Sequence, residues 1–360
     1  MYRIVMGVAA LVGAAARAAG GGPDVSPFEM KFMAEMAAKA KAAEAADAQT
    51  IVGRDGWFFF APELHHAGAG RFWGDAAAQV SRASKPEFAD PLPAILDFHE
   101  QLKARNVDLL LVPVPPKAVV YPEKSSGVVT PAADGAVPRL DSADQAFYDL
   151  LRREGVAVMD LVPLFMKNRA HAFGPVYCRT DTHWSGVGCV LAAGALAEAV
   201  RGKAWLKDVP KRPVASEWRD VAIQGDLARL LPAGAAPPPP ETLHLRFVGA
   251  KGASGLEPIQ PQESSPVLLM GDSHTLVFHS GEELHAVGAG LPDQLAAELG
   301  FPVDLIGTKG SGATPVRITL YRRAAADKAY LAGKRLVIWC LSAREFTEAF
   351  QGWMKVPVAP

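Results

Sequence analysis

Five short runs of apolar residues stand out along the chain as candidate strands. They lie at residues 107–114, 156–162, 266–273, 302–307 and 335–342. Each run is almost continuously apolar rather than alternating, which is typical of strands that are covered on both faces. The pattern therefore predicts a buried sheet.

Helical periodicity separates most of these runs. It covers residues 141–154, 186–201, 291–299 and 322–332 between the runs, and a further helical pattern at residues 91–105 precedes the first run. Strands that alternate with helices indicate an α/β fold with a mostly parallel central sheet flanked by helices. Ligands of such sheets bind at the carboxyl ends of the strands. Polar residues that directly follow the apolar runs are therefore the first candidates for chemistry.

The remaining segments have weaker patterns. Residues 27–49 are rich in alanine and contain no glycine, which predicts an exposed N-terminal helix. The turn sequence at Arg54–Gly56 stands before an aromatic run and predicts a hairpin. Residues 203–265 are the least regular and include a proline-rich stretch, so we interpret them as an irregular insertion within one domain that spans residues 50–350.

The first eighteen residues have the pattern of a secretory signal peptide. Arg3 precedes an apolar run, and small residues at Ala16 and Ala18 predict cleavage near Ala18. The alternative is an uncleaved N-terminal anchor, although the apolar run is shorter than the roughly 20 residues that a membrane span needs. Both alternatives predict that the rest of the chain is exported.

Composition narrows the function further. The chain has 360 residues, 49% of them hydrophobic, and a net charge of −1, so no basic excess points to nucleic acid. Cys178, Cys189 and Cys340 lack the spacing of a zinc or redox site. Export would permit a disulfide between Cys178 and Cys189, and the sequence leaves their pairing open.

Two polar stretches carry the candidate chemistry. "TDTHWSG" at residues 180–186 contains Asp181 and His183, and "LLMGDSHT" at residues 268–275 places Ser273 at the end of an apolar run. A serine is a weak nucleophile until a base activates it, and a histidine oriented by a carboxylate is the usual base. Because residues two apart in an extended segment project to one side, Asp181 can orient His183.

A metal site is the competing interpretation of the same stretches. Two-metal phosphoesterases also combine an Asp-x-His pair with a Gly-Asp motif, which here would use Asp272 and His274. Those enzymes need a second aspartate where this chain has Thr275, and they need late histidines, whereas none follows His285. We therefore expect no metal and no other cofactor. Asp272 is expected to cap the next turn, and His274 to face solvent or a local hydrogen-bond partner.

Five stretches in a fixed order resemble a known family. They are "GRDGWFFF", "PVPPKAVVYPEK", "TDTHWSGVG", "VLLMGDSHT" and "VIWCLSAREF". The chain thereby resembles the periplasmic alginate O-acetyltransferases and their relatives that act on other exopolysaccharides. The resemblance implies an SGNH-hydrolase-like domain in which Ser273 is the nucleophile, His183 the general base and Asp181 the residue that orients it.

The resemblance also implies further site residues. In "DLIGTKGSGATP", Gly310 or Gly312 would supply an oxyanion-hole N–H, while the block that usually offers an asparagine has Ser342 and Arg344 instead. Lys117 and Arg344 are expected to bind an anionic polymer or to polarise the acetyl carbonyl.

The implied reaction is acetyl transfer through a serine ester onto hydroxyls of an exported polysaccharide in the periplasm. A membrane-bound O-acyltransferase partner would relay the acetyl group. The resemblance is to a short form without a carbohydrate-binding module, because the sequence ends at Pro360. A carbohydrate acetylesterase with the same triad and a non-catalytic polysaccharide-binding subunit are the alternatives. Trp184, beside the histidine, is expected to pack inside the protein rather than to stack on sugar.

Overall fold

The computed structural model describes residues 24–232, 234–253 and 255–360. The predicted signal peptide or anchor at residues 1–18 lies outside this part of the chain. Within it, no helix combines the length and the apolar character that a membrane span requires.

The strands of the described residues are β1 (Thr50–Val52), β2 (Phe58–Phe60), β3 (Asp108–Val114), β4 (Ala157–Val158), β5 (Ala215–Ile223), β6 (Glu241–Gly252), β7 (Gly255–Pro258), β8 (Val267–Gly271), β9 (Asp304–Gly307) and β10 (Leu336–Ser342). The α-helices are α1 (Pro27–Ala45), α2 (Ala61–Ala69), α3 (Ala77–Val80), α4 (Pro91–Lys103), α5 (Lys117–Val120), α6 (Pro122–Ser125), α7 (Ser142–Arg153), α8 (Val162–Lys167), α9 (Gly186–Val200), α10 (Asp226–Arg229), α11 (Leu291–Leu299), α12 (Thr314–Ala326) and α13 (Glu345–Glu348).

The central sheet has five strands in the order β4-β3-β10-β8-β9, and every neighbouring pair is parallel. Each of the five apolar runs supplies one of these strands, which confirms the predicted α/β fold with a mostly parallel sheet. Strand β4 covers only Ala157–Val158 of its run, and α8 begins at the last residue of the run, Val162.

Helices cover both faces of this sheet. Along β10, Ile338 and Cys340 belong to one buried cluster, while Val337, Trp339 and Leu341 belong to the other. This alternation is the two-residue period of a strand. Burying one large apolar side chain contributes about 2 kcal/mol relative to leaving it exposed, which explains why both faces of the run are apolar.

The structure differs from the sequence-based expectations in three segments. Helix α1, expected to be exposed, buries Phe32, Met36 and Ala40. The predicted helix at 322–332 instead begins at Thr314, where Pro315 suits a first helical turn. Residues 203–265 are not irregular, because β5, β6 and β7 form an antiparallel sheet there.

Two smaller features complete the fold. Strands β1 and β2 pair antiparallel across the turn at Asp55 and Gly56, both with positive φ, so the predicted hairpin is confirmed.

The three cysteines Cys178, Cys189 and Cys340 are all free and buried, so the disulfide that export would permit is not formed.

Candidate active site

Ser273 lies at the carboxyl edge of the central sheet, directly after β8. Gly271 makes this placement possible, since a Cβ there would stand 1.7 Å from the carbonyl oxygen of Cys340 in the neighbouring strand. Asp272 then fixes the turn. Its Oδ1 accepts the N–H of His274 at 2.9 Å, as the predicted cap should, and its Oδ2 accepts the N–H of Ser342 at 2.6 Å.

His183 lies in the loop before α9, and backbone hydrogen bonds hold this loop in a narrow hairpin. Tyr177 and Trp184 form an isolated antiparallel bridge. The N–H of Cys178 donates to the carbonyl of His183 at 3.2 Å. At the end of the loop, the Ser185 side chain caps α9. The imidazole is therefore presented from a rigid backbone.

The two predicted stretches meet in one hydrogen-bonded chain, although 90 residues separate the serine from the histidine. Ser273 Oγ is 2.8 Å from Nε2 of His183, and Nδ1 of His183 is 2.7 Å from Oδ1 of Asp181. An ionised carboxylate only accepts, so we assign the ring proton to Nδ1 and leave Nε2 free to accept from the serine. This arrangement can remove a proton from Ser273.

Asp181 accepts four hydrogen bonds. Its Oδ1 accepts the backbone N–H of His183 at 3.0 Å in addition to Nδ1, and its Oδ2 accepts the N–H of Asp226 and Nε2 of His285, both at 2.8 Å. Burial alone would raise the pKa of Asp181, but the hydrogen bonds and charges of His183 and His285 hold it well below its usual range. The carboxylate is therefore ionised at neutral pH.

The environment of His183 makes it a stronger base than an ordinary histidine. Burial acts to lower the pKa of this ring, but the hydrogen bond and the negative charge of Asp181 outweigh burial and raise it. Asp226 adds to the increase, while the positive charge of Arg344 opposes it.

Asp181, His183 and Asp226 also stand close enough for one metal ion to bind all three, with their candidate ligand atoms within 4.8 Å of one another. These atoms are already hydrogen-bonded within the protein. The carboxylate of Asp226 accepts the N–H of Thr182 at 2.7 Å and its hydroxyl, and Nδ1 of His183 donates to Asp181. This donor pattern favours an imidazole–carboxylate pair over a cation site.

Of the two candidate oxyanion glycines, Gly312 lies beside the serine turn. A Cβ on Gly312 would stand 3.0 Å from the backbone nitrogen of Asp272 and 3.1 Å from its Cβ. In the part of the chain that the structure describes, the Gly312 N–H has no protein acceptor. Gly310 is exposed, has a φ of +99°, and a Cβ there would meet open space.

Lys117 does not stand where a polymer could reach it, contrary to the expectation from the sequence. Its side chain is fully buried, and Nζ donates to the backbone carbonyls of Phe58 at 2.9 Å and Asp181 at 2.5 Å. Burial lowers the pKa of the amine. The lysine thus ties strand β2 to the loop that carries Asp181, because α5 directs it beneath that loop.

Arg344 remains close to the candidate triad but is largely buried. Its Nη1 donates to Oγ of Ser342 at 2.8 Å, and its guanidinium lies over the ring of Phe60 at 5.4 Å. It is 8% exposed, so only a small part of the side chain reaches solvent.

Trp184 packs inside the protein, as expected. Its side chain is fully buried and contacts Phe165 and His274 edge-on, with ring centroids 6.2 and 5.5 Å apart. His274 is not solvent-facing. It is fully buried, its Nδ1 lies 3.2 Å from Oδ1 of Asp272, and burial lowers its pKa to about 4.

Two contributors to this site carried no motif in the sequence. Asp226 follows Gly225, whose backbone lies so close to Thr180 that a Cβ would stand 2.1 Å from the Thr180 carbonyl oxygen. His285 comes from an irregular loop. Sequence spacing could not identify Asp226 and His285 as hydrogen-bond partners of Asp181, because neither residue lies in the two polar stretches at residues 180–186 and 268–275.

A groove begins beside the loop that carries Asp181. A cavity of about 380 Å³ is lined by Phe173, Arg179, Thr180 and His244 among others, and an open groove of about 970 Å³ continues from it past Lys167. Trp218 stacks on His244 at 5.0 Å and contacts Phe173, whose side chain is 46% exposed. Within the described residues, the side-chain nitrogens of Lys167 and Arg179 have no hydrogen-bond or ion-pair partner.

Comparison with known proteins places these features in a family. A family model described as "SGNH hydrolase-like domain, acetyltransferase AlgX" matches residues 50–343. Curated relatives include probable alginate O-acetylases AlgJ from Pseudomonas putida, 28% identical over 64% of this chain and 55% of that protein, and from Pseudomonas aeruginosa, 31% identical over 51% of this chain and 41% of that protein. The chain thus spans about half the length of these relatives.

Solved structures give the same result for the fold. The O-acetyltransferase domain of Pseudomonas putida AlgJ superposes with a TM-score of 0.60 and 25% identity, covering 83% of this chain and 92% of that one. Pseudomonas aeruginosa AlgX superposes with a TM-score of 0.55 and 17% identity, covering 81% of this chain and 62% of that one. The predicted SGNH-hydrolase-like fold is confirmed.

Proposed function

Because the chain belongs to the SGNH hydrolase-like acetyltransferase family, we propose that it moves acetyl groups through a Ser273 ester onto hydroxyls of an exported polysaccharide. The observation that carries the proposal is the hydrogen-bonded chain from Ser273 through His183 to Asp181, with links of 2.8 and 2.7 Å. Hydrogen-bonded serine, histidine and aspartate in this order are the standard means of forming an acyl-serine.

The first half-reaction forms the acetyl ester. His183 Nε2 takes the proton of Ser273 as Oγ attacks the carbonyl carbon of the donor's acetyl group. The bond between that carbon and the donor's leaving group then breaks, and the leaving group departs with the proton from His183. The N–H of Gly312 would bind the carbonyl oxygen while it carries negative charge, and Arg344 would polarise it from the strand end.

The second half-reaction transfers the acetyl group. A sugar hydroxyl gives its proton to His183 and attacks the acetyl carbon, and the bond from that carbon to Ser273 breaks as the proton returns to the serine. Water in place of the sugar would make the protein an acetylesterase. The difference between the two activities therefore depends on which hydroxyl occupies the site.

The groove beside Asp181 supports a polysaccharide acceptor. The exposed face of Phe173 and the stacked rings of Trp218 and His244 offer flat apolar surface, and Lys167 and Arg179 offer free positive charge. We propose that these residues, rather than Lys117, hold an acidic polymer. Arg179 precedes Asp181 by two residues, which places the groove next to the loop that carries the carboxylate.

We propose further that the protein works in the periplasm and receives acetyl groups from a membrane-bound O-acyltransferase. The support is the signal-like pattern of residues 1–18 and the need for an activated acetyl donor outside the cytoplasm. Fractionation of cells that express the chain with and without residues 1–18 tests the location. A full-length chain found in the cytoplasmic fraction would contradict the location, and equal export without these residues would contradict their role as the signal.

The test of the reaction mixes purified protein with an acetyl ester donor and acidic sugar oligomers. Mass spectrometry should detect acetylated oligomers with the native protein and none with Ser273→Ala. Ester cleavage without acetylated oligomers would establish the acetylesterase instead. Undiminished transfer in Ser273→Ala would remove the proposal altogether.

The groove is tested by removing its free charges. Lys167→Ala combined with Arg179→Ala should raise KM for the acidic oligomer about tenfold or more, because surface cations bind a polyanion collectively, and should leave cleavage of a small acetyl ester within about twofold. The matched control combines Lys41→Ala with Arg153→Ala, two exposed cations outside the groove. Equal effects of both pairs would show that only net charge matters.

A further inference from the structure

The fourth hydrogen bond to Asp181 comes from a residue outside both motifs. Nε2 of His285 lies 2.8 Å from Oδ2 of Asp181, and the His285 side chain is 6% exposed. A carboxylate cannot donate, so Nε2 of His285 carries the proton. Asp181 is thus held between two imidazoles, one on each oxygen.

His285 reaches this position from a strained loop. The backbone has positive φ at Phe278, Glu282 and His285, with values of 60°, 52° and 76°. Residues other than glycine rarely adopt such angles, and the strain persists only where surrounding contacts impose it. Strain of this kind is concentrated at functional sites, which suggests a role for the loop beyond connecting the Ser273 turn to α11.

The contacts that impose the strain are on the loop itself. The N–H of Phe278 donates to the carbonyl of Leu284 at 2.9 Å, and the N–H of Gly281 donates to Ala286 at 2.9 Å. Phe278 and Leu284 are both buried in the main apolar cluster. The loop is therefore a closed, anchored unit that aims one ring at Asp181.

The same loop also contacts the glycine segment that follows β9. Glu283 forms an ion pair with Lys309, which directly precedes Gly310. The loop thus joins the carboxylate of the candidate triad to the segment that carries the candidate oxyanion N–H. Both contacts lie within three residues of chain, from Glu283 to His285.

We propose that His285 is a positioning residue that fixes Asp181 and limits how strongly this carboxylate attracts the proton of His183. It touches neither substrate nor Ser273, and it acts only through Asp181. The inference rests on the proposed acetyl transfer through Ser273. A carboxylate that shares its charge among several donors attracts each proton less strongly, so His285 tunes the base as well as holding its partner in place.

Two substitutions separate the hydrogen bond from the shape of the ring. His285→Phe keeps a planar ring without a donor, whereas His285→Gln keeps an N–H donor without the ring. The groups that face His183 otherwise remain the same in both variants, namely Asp181, Asp226, Arg344 and His274. A difference in rate or pH profile between the two variants therefore reports the effect of the N–H that residue 285 donates to Asp181.

The measurement is the pH profile of kcat on a small acetyl ester, with the thermal midpoint recorded in parallel. In His285→Phe, kcat should fall about ten- to a hundredfold, because a small misplacement of a catalytic group has an effect of this size. The acid limb of this profile, where kcat falls as pH decreases, should move to higher pH. The reason is that Asp181 without its His285 donor holds the His183 proton more tightly and so raises the pKa of His183. His285→Gln should recover most of kcat and return the limb towards the native position.

A purely structural role predicts another result, in which both variants lose activity in proportion to their thermal midpoints and the acid limb does not move. That result, or a limb that moves to lower pH, would overturn the inference. If His285→Phe does not fold, His285→Met supplies the variant without a donor. Activity in Ser273→Ala would refute the proposed function, whereas an inactive Ser273→Ala with an unchanged His285→Phe would refute only the role of His285.

Discussion

Asp181–Thr182–His183 and Asp272–Ser273–His274 are two copies of one short motif with opposite properties. In each, an Asp oxygen accepts the backbone N–H of the His, at 3.0 and 2.9 Å, and faces its Nδ1, at 2.7 and 3.2 Å. The pKa of His183 is nevertheless raised, while the pKa of His274 is lowered to about 4.

The surroundings explain the difference. His183 Nε2 faces Ser273, whereas Nε2 of His274 is buried without a hydrogen-bond partner among the described residues. Burial dominates at His274, and the neighbouring His183 and Arg344 add positive charge that disfavours its protonation. The Asp-x-His motif therefore orients a ring, but its surroundings decide whether the ring is a base.

The largest expected difference between the two copies is in turnover. His183→Gln should lower kcat about 10⁴-fold or more, because it removes the base that activates the serine. His274→Gln should stay within about tenfold of the native rate, since its ring is fully buried and its only side-chain hydrogen-bond partner among the described residues is Asp272. Steady-state kinetics with near-ultraviolet circular dichroism checks both. A folded His274→Gln as impaired as His183→Gln would break the comparison.

Substitution of the two aspartates should affect different properties, the turnover rate for Asp181 and the folding stability for Asp272. Asp181→Asn should lower kcat about 10³- to 10⁴-fold, because an amide favours the wrong tautomer of His183. Asp272→Asn should instead reduce the free energy of unfolding by about 1–3 kcal/mol, since it disturbs a buried acceptor of the Ser342 N–H. Kinetics and urea unfolding on both variants measure the two effects. Equal losses of stability with equal losses of rate would show that the two carboxylates have the same role.

The five strands of the parallel sheet and the meeting of Asp181, His183 and Ser273 were predicted from the sequence, whereas the order of the strands in the sheet was not. Continuous apolar runs reveal strands that are buried on both faces, and residues at strand ends gather at one edge of a parallel sheet. Strands β5 and β6 lack a continuous apolar run. Strand β5 is mostly exposed and contains adjacent polar pairs, and β6 alternates apolar and polar residues only from Leu243 to Phe247.

Lys117 and His285 show what sequence patterns do not contain. A lysine after a strand is usually a surface residue, and only the path of α5 beneath the Asp181 loop buries it. His285 comes from a loop whose φ values no motif announces. Both contacts depend on how distant segments pack, and neither local propensity nor spacing encodes that information.

The pH dependence of the rate should report His183 and not His274. The base must be neutral, so kcat/KM should fall tenfold for each pH unit below the pKa of His183, which lies above the ordinary value of about 6.5. His274→Gln should move this limb only slightly, because the buried His274 ring is neutral in this pH range and is exchanged for another neutral side chain. Measurements of kcat/KM from about pH 5 to 9 in both proteins show which histidine sets the acid limb. A limb centred below the ordinary value would contradict the assignment of the base.

The smallest expected effect is in the pH dependence of the free energy of unfolding. The contribution of His274 should be measurable there, whereas the contribution of His183 should be the same in the native protein and in a His274 variant. The folded-state pKa of His274 is about 4 and its unfolded value is about 6.5. The unfolded chain therefore binds more protons between these values, so stability falls as pH decreases through this window. The loss attributable to His274 is at most about 3 kcal/mol, at about 1.4 kcal/mol per pKa unit.

His274→Gln removes this contribution. It also removes the charge and the hydrogen bond of His274 that lower the pKa of Asp272, so this pKa should rise in the variant and flatten the dependence further. Asp272, with a pKa of about 2, titrates mainly below the window, and His183, whose raised pKa acts in the opposite direction, is present in both proteins. The free energy of unfolding, measured by urea denaturation at several pH values, should therefore depend less steeply on acidification in the variant than in the native protein. Parallel slopes would mean that the buried ring takes up its proton in the folded state as readily as in water, and the contrast between the two histidines would then be lost.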